Sequence, residues 1–202
     1  MVMRYPVWKK MFDMAGGILG FLFMCILFPF ISFAIILESG FPVFIRLDRI
    51  SEGKIIKVWK FRTMTRGAHE RKKELEKMNE RNDGPLFKIA HDPRVTRVGR
   101  ILRKLRVDEV PQFVNVLMGD MALVGPRPHE PGEVEKYPDE YKKITFARAG
   151  ITGLSQVSGA SSLPFQKELE LDAYYTEHTT GMLDIKIILK TVYILFFDPT
   201  GV

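Results

Sequence analysis

From Met14 to Leu37 the sequence reads MAGGILGFLFMCILFPFISFAIIL, 24 residues without a charged side chain. At ~1.5 Å of rise per residue, a helix of this length can cross the hydrocarbon core of a bilayer, so contact with lipid constrains every other reading of the chain. A cleaved secretory signal does not fit, because the run is too long and no small-residue cleavage site follows it. Pro29 lies well inside the run, where it removes a helical hydrogen bond and kinks or breaks the helix. Basic residues flank both ends: Arg4, Lys9 and Lys10 before it, and Arg46, Arg49, Lys54, Lys57, Lys60 and Arg62 after it. The positive-inside rule therefore asks for both ends in the cytoplasm. A helix that enters, breaks near Phe28 and Pro29 and returns to the same face meets both demands, provided its freed backbone groups find partners. A single span with a tolerated proline kink is the alternative, and the residues leave the two open.

The 202 residues have room for one compact domain and an accessory element. Thirty Lys and Arg against 24 Asp and Glu give a net charge of +6, which favours an anionic partner: a phosphate ligand, acidic lipid headgroups or nucleic acid. Nucleic acid is disfavoured by the apolar segment and by the lack of any groove-reading module. Cys25 is the only cysteine, so no intrachain disulfide forms and a reducing compartment fits. His69, His91, His129 and His178 are scattered without zinc-ligand spacing.

Beyond the apolar run, Pro42 to Met64 is rich in β-branched and aromatic residues around a Ser-Glu-Gly break, the pattern of a hairpin. Arg66 to Gly84 reads as a solvated, charged helix without a function of its own. In Arg94 to Val107, Val98, Ile101, Leu102 and Leu105 recur at helical spacing, opposite a basic face. A second apolar helix follows Asp108 and closes at Gly119, and GPRP (Gly125 to Pro128) forces a stiff turn. Ala149 to Ser162 reads as a loop or irregular strand able to line a pocket, and Phe165 to His178 as an acid-rich helix. Met182 to Phe197 reads as a short apolar helix for the membrane interface, the core or a second copy of the chain, which leaves a homodimer open.

Arg94, Arg97, Arg100, Arg103, Lys104 and Arg106 place six positive charges in 13 residues with no acid among them, and the spacing of three sets four arginines along one helical face. Such a stripe suits phosphate oxygens, and it equally suits a solvated face or acidic headgroups. Directly after it come Asp108 and Glu109, three and two residues before Pro111. A helix start and neighbouring arginines predict an ionised Asp108 with a depressed pKa. N-capping would give the same pattern. A carboxylate beside a metal and cationic side chains can also attack phosphorus to form an acyl-phosphate, with Glu109 as base or support.

The segments KVWKFRTM, DPRVTRVGRILRKLRVDEVPQFVNVLMGDMALVGPRP, AGITGLSQVSG and LDAYY together resemble, in order, the blocks of the bacterial sugar transferases, the monotopic phosphoglycosyl transferases. The resemblance runs from about Lys9 to Phe197. It implies transfer of a sugar-1-phosphate from a UDP-sugar to a polyprenol phosphate such as undecaprenyl phosphate, with Mg²⁺ held at Asp108. Asp108 would be the nucleophile and Glu109 its partner, UMP would leave, and Arg127, Lys60, Arg62 and Arg103 would contact the substrate. It further implies a mostly helical α+β fold: a re-entrant, Pro29-broken membrane helix over residues 1–40, then a cytoplasmic catalytic domain over 41–202 with a small β-hairpin and amphipathic interfacial helices. The expected place is the cytoplasmic face of the bacterial inner membrane, among membrane lipids, at the start of exopolysaccharide, O-antigen or glycoconjugate assembly. A non-enzymatic peripheral protein that binds acidic lipids through the basic helix is the rival reading. Two residues depart from the family pattern: Ala149 stands where a proline is common, and Phe28 where a small polar residue is common. The chain reads as a minimal catalytic unit beside larger relatives with extra membrane helices and a soluble domain.

Overall fold

A computed structural model describes residues 5–68 and 70–197; Arg4 and His69 lie outside the described residues. The apolar run becomes one helix, α1 (Val7–Ser39), which continues through Pro29 without a change of element. Pro29 has no N–H to give the Cys25 carbonyl, so the ladder is weakened there while the helix goes on. Its buried residues, Lys9, Asp13, Gly17, Gly20, Met24, Ile31, Ser32 and Ile35, recur at helical spacing from end to end. Partly buried Leu27 fills the gap in that stripe. Roughly 50 Å of helix, at ~1.5 Å per residue, is therefore docked along one side, and Met14, Ile18, Leu22, Ile26, Phe30, Phe33 and Leu37 are exposed on the other.

The start of α1 is tied down by charge. Lys9, one of the cations flanking the apolar run, is only 4% exposed. Its Nζ pairs with Asp184 at 2.5 Å and also donates to the Val124 carbonyl and the Tyr175 hydroxyl. Asp13 accepts from the Leu123 N–H at 2.9 Å. At Gly20 a Cβ would fall 2.2 Å from the Phe113 ring, so the glycine is what lets α1 come this close.

The hairpin forms as expected: β1 (Phe44–Ser51) and β2 (Lys54–Phe61) pair antiparallel, Phe44 opposite Phe61 and Ser51 opposite Lys54. Glu52 and Gly53 supply the two positive φ angles of the tight turn, 50° and 70°. Between 66 and 84 the regular structure is limited to 3-10 turns over Glu70–Met78, and the segment is not simply solvated. Arg81 bridges Asp83 at 2.8 Å and the buried Glu168 at 2.6 Å.

Next come α2 (Arg97–Lys104), α3 (Gln112–Met118) and β3 (Ala122–Val124). On α2, Leu102 is buried and Val98 packs with it, whereas Ile101 and Leu105 are 60% and 58% exposed, outside the core face that their spacing predicts. Glu38, in the last turn of α1, accepts from the N–H groups of Arg97 and Val98 at 2.7 and 2.8 Å and so caps α2 from a distant part of the chain. Gly119 closes α3 at φ 82° as expected.

A short α4 (Pro131–Val134) and 3-10 turns over Asp139–Phe146 lead to β4 (Gly150–Thr152), which pairs parallel with β3. Of the loop or irregular strand expected from Ala149, the strand forms as β4, and the chain then continues as α5 (Leu154–Val157), a helix the glycine- and serine-rich composition did not suggest. Two helices, α6 (Phe165–Glu177) and α7 (Gly181–Phe197), complete the chain. Ala149 donates its N–H to Ser51 Oγ at 3.1 Å, a bond that a proline in its place could not make. One core joins Val58, Val116, Met121, Leu123, Val157, Tyr175 and Ile187. A second joins Ile31 and Ile35 of α1 to Val43, Phe61 and Leu102.

Candidate active site

Arg106 takes a left-handed conformation, φ 54°, and turns the chain out of α2 into a 3-10 turn, Val107–Glu109. Asp108 and Glu109 sit on that turn; α3 starts only at Gln112, with Pro111 rather than Asp108 at its cap position. Asp108 is 8% exposed, while the Glu109 side chain keeps 38% of its surface. Lys60, near the end of β2, places its Nζ 2.5 Å from Glu109 Oε1.

Arg103 arrives from α2. Thr96 caps that helix through its Oγ1 and the Gly99 N–H, and Thr96 N–H donates to the Thr63 carbonyl at 3.0 Å. A Cβ on Gly99 would stand 2.0 Å from that carbonyl, so the glycine lets α2 lie flush against the chain beyond β2. Arg103 Nε then donates to Thr63 Oγ1 at 3.0 Å, and its charge acts on Asp108.

Arg127 is exposed on the GPRP turn, whose backbone is held from three sides. Gly150 N–H donates to the Pro126 carbonyl at 2.9 Å and Ile50 N–H to the His129 carbonyl at 3.1 Å. Asp172 of α6 accepts the Arg127 N–H at 3.1 Å. His129 lies buried beneath, bonded to the Tyr137 hydroxyl. Burial, with Arg127, Arg49 and Arg81 nearby, pushes it down to about 3, so this histidine is a neutral support.

The two carboxyl groups are driven apart. Burial pushes Asp108 up to about 6 against the pull of Lys60; the charge of Glu109 adds to the rise and Arg103 opposes it. The depressed pKa expected from neighbouring arginines is thus reversed, because desolvation outweighs them. For Glu109 burial also disfavours the ion, but the charge and hydrogen bond of Lys60, with Arg127 and Arg106, hold it below the usual range.

Lys60, Arg103 and Arg127 therefore converge on the dyad, and Arg62 does not. Its guanidinium is buried at the end of α1, donating to the Phe41 and Gly40 carbonyls and to Ser39 Oγ. Arg94 also leaves the expected stripe: it precedes α2 and forms a buried ion pair with Asp92 at 2.6 Å. Arg106, named in the basic run, does act on Glu109, whereas sequence reasoning read Arg49 only as a flanking cation and passed over Asp172, which lies inside the quoted LDAYY block. Only that block gave a signal for Asp172; nothing in the spacing places Arg49 near residues sixty positions away.

A buried carboxyl beside an ionised one, ringed by cations, is a phosphate-handling arrangement, and the family model for bacterial sugar transferase matches residues 4–198. The chain belongs to the bacterial sugar transferase family. Among members of that family, galactosyl transferase CpsE of Streptococcus agalactiae is 39% identical over 93% of this chain. Undecaprenyl-phosphate galactose phosphotransferase of Salmonella typhimurium is 35% identical over 93%. The chain spans 42% and 40% of the length of these two relatives. An uncharacterized sugar transferase of Bacillus subtilis, EpsL, is 34% identical over 91% of the chain, which spans 85% of that protein.

For Mg²⁺, the residues at the dyad of this sugar transferase family member fit. Among the described residues no group of three or more His, Cys, Asp or Glu side chains forms a self-contained cation site. Mg²⁺ needs only one or two protein carboxylates when phosphate oxygens and water complete its shell. Lys60 occupies Glu109, and Asp108 forms no ion pair among the described residues, so Asp108 is the carboxylate able to hold the ion.

Proposed function

We propose that this chain transfers a sugar-1-phosphate from a UDP-sugar to a polyprenol phosphate, undecaprenyl phosphate in a bacterium, releasing UMP and starting polysaccharide or glycoconjugate assembly. The observation that carries the reading is the dyad: Asp108 buried and raised toward neutrality, Glu109 held ionised by Lys60, and Arg103 and Arg127 beside them. Asp108 attacks the sugar-bearing phosphorus, and the bond from that phosphorus to the bridging oxygen breaks. UMP leaves with that oxygen. A phosphate oxygen of the polyprenol phosphate then attacks the same phosphorus, the Asp108 carboxylate is released, and a polyprenol diphosphate-sugar results. Mg²⁺, when bound at Asp108, neutralises charge on the phosphate oxygens. Lys60 keeps Glu109 ionised as acceptor of the proton from the incoming phosphate, Arg103 offsets charge near Asp108, and exposed Arg127 binds the nucleotide phosphate.

The same reading has the reaction run at the cytoplasmic face of the inner membrane, with both ends of α1 on that side of the bilayer. Supporting this, α1 is long and apolar enough to cross a membrane, yet it is docked along its full length on the same domain. A transbilayer helix would carry half its length away from that domain. Exposed Ile101 and Leu105 on α2, and Ile185, Leu189, Val192 and Phe196 on α7, add apolar surface for the interface.

The test is a panel of UDP-sugars mixed with purified protein and Mg²⁺, without lipid acceptor. About one equivalent of UMP per chain, with a phosphosugar adduct on Asp108, is the result expected of a covalent intermediate. UMP release that requires the acceptor would overturn the intermediate, and turnover by Asp108→Asn would overturn the assignment of the nucleophile.

A further inference from the structure

The two faces of the hairpin touch different parts of the molecule. Cross-strand register puts Phe44 with Phe61 and Arg46 with Trp59 on one face, and Ile45 with Lys60 on the other. On the first face the rings form a continuous stack that reaches into α1. Phe28 lies on Phe44 with centroids 5.5 Å apart and planes 8° from parallel. Phe44 in turn stacks on Phe61 at 5.1 Å and meets Trp59 edge-on at 5.9 Å. Arg46 covers Trp59 at 5.2 Å. On the opposite face Lys60 holds Glu109 at 2.5 Å. One layer of two strands thus separates Phe28 of α1 from the dyad.

Phe28 is also the residue before Pro29, at the turn where α1 lacks a backbone hydrogen bond and is least able to fix its own course. Its neighbours Ile26 and Phe30 are 65% and 73% exposed, and Leu27 packs with Ile31 against the core that includes Phe61, so Phe28 is the residue of this turn whose ring stacks on an aromatic ring of the hairpin. At 39% exposure it contributes little to the core, in contrast to the fully buried Phe61. A ring so placed controls geometry more than stability.

We propose that Phe28 is a positioning residue that locks the proline turn of α1 to the aromatic face of the hairpin and thereby sets the height of Lys60, Glu109 and Asp108 above the lipid-facing side of α1. This rests on the transferase reading above. The nucleotide donor arrives from water and meets the dyad at any such height. A lipid-borne phosphate is confined to one depth, so the stack governs use of the acceptor and leaves use of the donor alone.

The experiment uses the full chain in phospholipid vesicles, comparing wild type with Phe28→Ala, Phe28→Leu and Phe28→Tyr. Loss of the ring raises KM for polyprenol phosphate by about fivefold or more, while acceptor-free UMP release changes by less than about twofold. Phe28→Tyr, which keeps the ring, restores the acceptor KM to within about twofold of wild type. In a Trp8→Phe background, quenching of Trp59 by lipids brominated at two depths shifts with Phe28→Ala and Phe28→Leu. An unchanged acceptor KM and quenching profile in both ring-less variants would overturn the proposal, as would parallel loss of donor and acceptor use with a lowered Tm. Should wild type release no UMP from any UDP-sugar, the transferase reading falls, and an unshifted quenching profile then removes the positioning role as well.

Discussion

At Asp108 a single carboxyl group carries both the cost and the use of the site. Its pKa in the fold, about 6, lies above the ordinary 3.8 because burial disfavours the ion. Between those values the native state holds a proton that the unfolded chain has released, so this group lowers stability as pH rises through the window. Asp108→Asn removes that burden and should raise stability at pH 8 on the order of 2 kcal/mol, measured by thermal unfolding in detergent, while UMP formation falls by about a thousandfold or more. In the wild type, donor cleavage should fall as pH drops through about 6, since the nucleophile must be ionised. The basic residues separate by role in the same way. Arg127→Ala should raise the donor KM about tenfold with little change in Tm. Arg62→Ala, which strips the end of α1 of its donors, should cost about 1–3 kcal/mol of stability and leave the donor KM in place.

The elements of this chain are held in register by contacts that reach across it. Lys9 on α1 and Asp184 on α7 form a buried pair shared with Tyr175 and the Val124 carbonyl of β3. Lys9→Met leaves Asp184 as an uncompensated buried charge and should cost about 3–5 kcal/mol. The double change to Lys9→Met and Asp184→Leu should recover most of that loss in the same unfolding measurement. Helix α2 depends instead on a missing side chain. Gly99→Ala drives a methyl group into the Thr63 carbonyl, which is backbone and cannot swing aside. Displacing α2 carries Arg103 away from Thr63 and Asp108, so initial rates should fall about tenfold or more, while far-UV circular dichroism keeps its native shape. The two departures from the family pattern have local answers of this kind: Ala149 gives Ser51 the N–H that a proline lacks, and Phe28 stacks on Phe44.

For the molecule as a whole, the arrangement of α1 decides where the chemistry can take place. If both ends of α1 stay on one side of the bilayer, cysteines at Lys10 and Lys54 in a Cys25→Ser background should react with a membrane-impermeant maleimide from the same side of oriented vesicles; opposite sides would establish a span. The apolar run, the hairpin, the closing Gly119 and the adjacent Asp108 and Glu109 behind a basic run were all legible in the sequence, because period, turn chemistry and charge act over a few residues. Much else was not. The parallel pairing of β3 with β4, the capping of α2 by Glu38 and the hold of Asp172 on Arg127 join residues 28, 59 and 45 positions apart. Lys9 was read as a flanking cation, Arg94 as part of the basic stripe and Arg62, by the family resemblance, as a substrate contact, whereas the fold places all three on buried carbonyls and carboxylates. The sequence by itself determined the long apolar helix, the hairpin and the place where charge is concentrated. Only the tertiary structure decided which cations remain free for a phosphate and which carboxyl is raised, since burial depends on what the rest of the chain brings alongside.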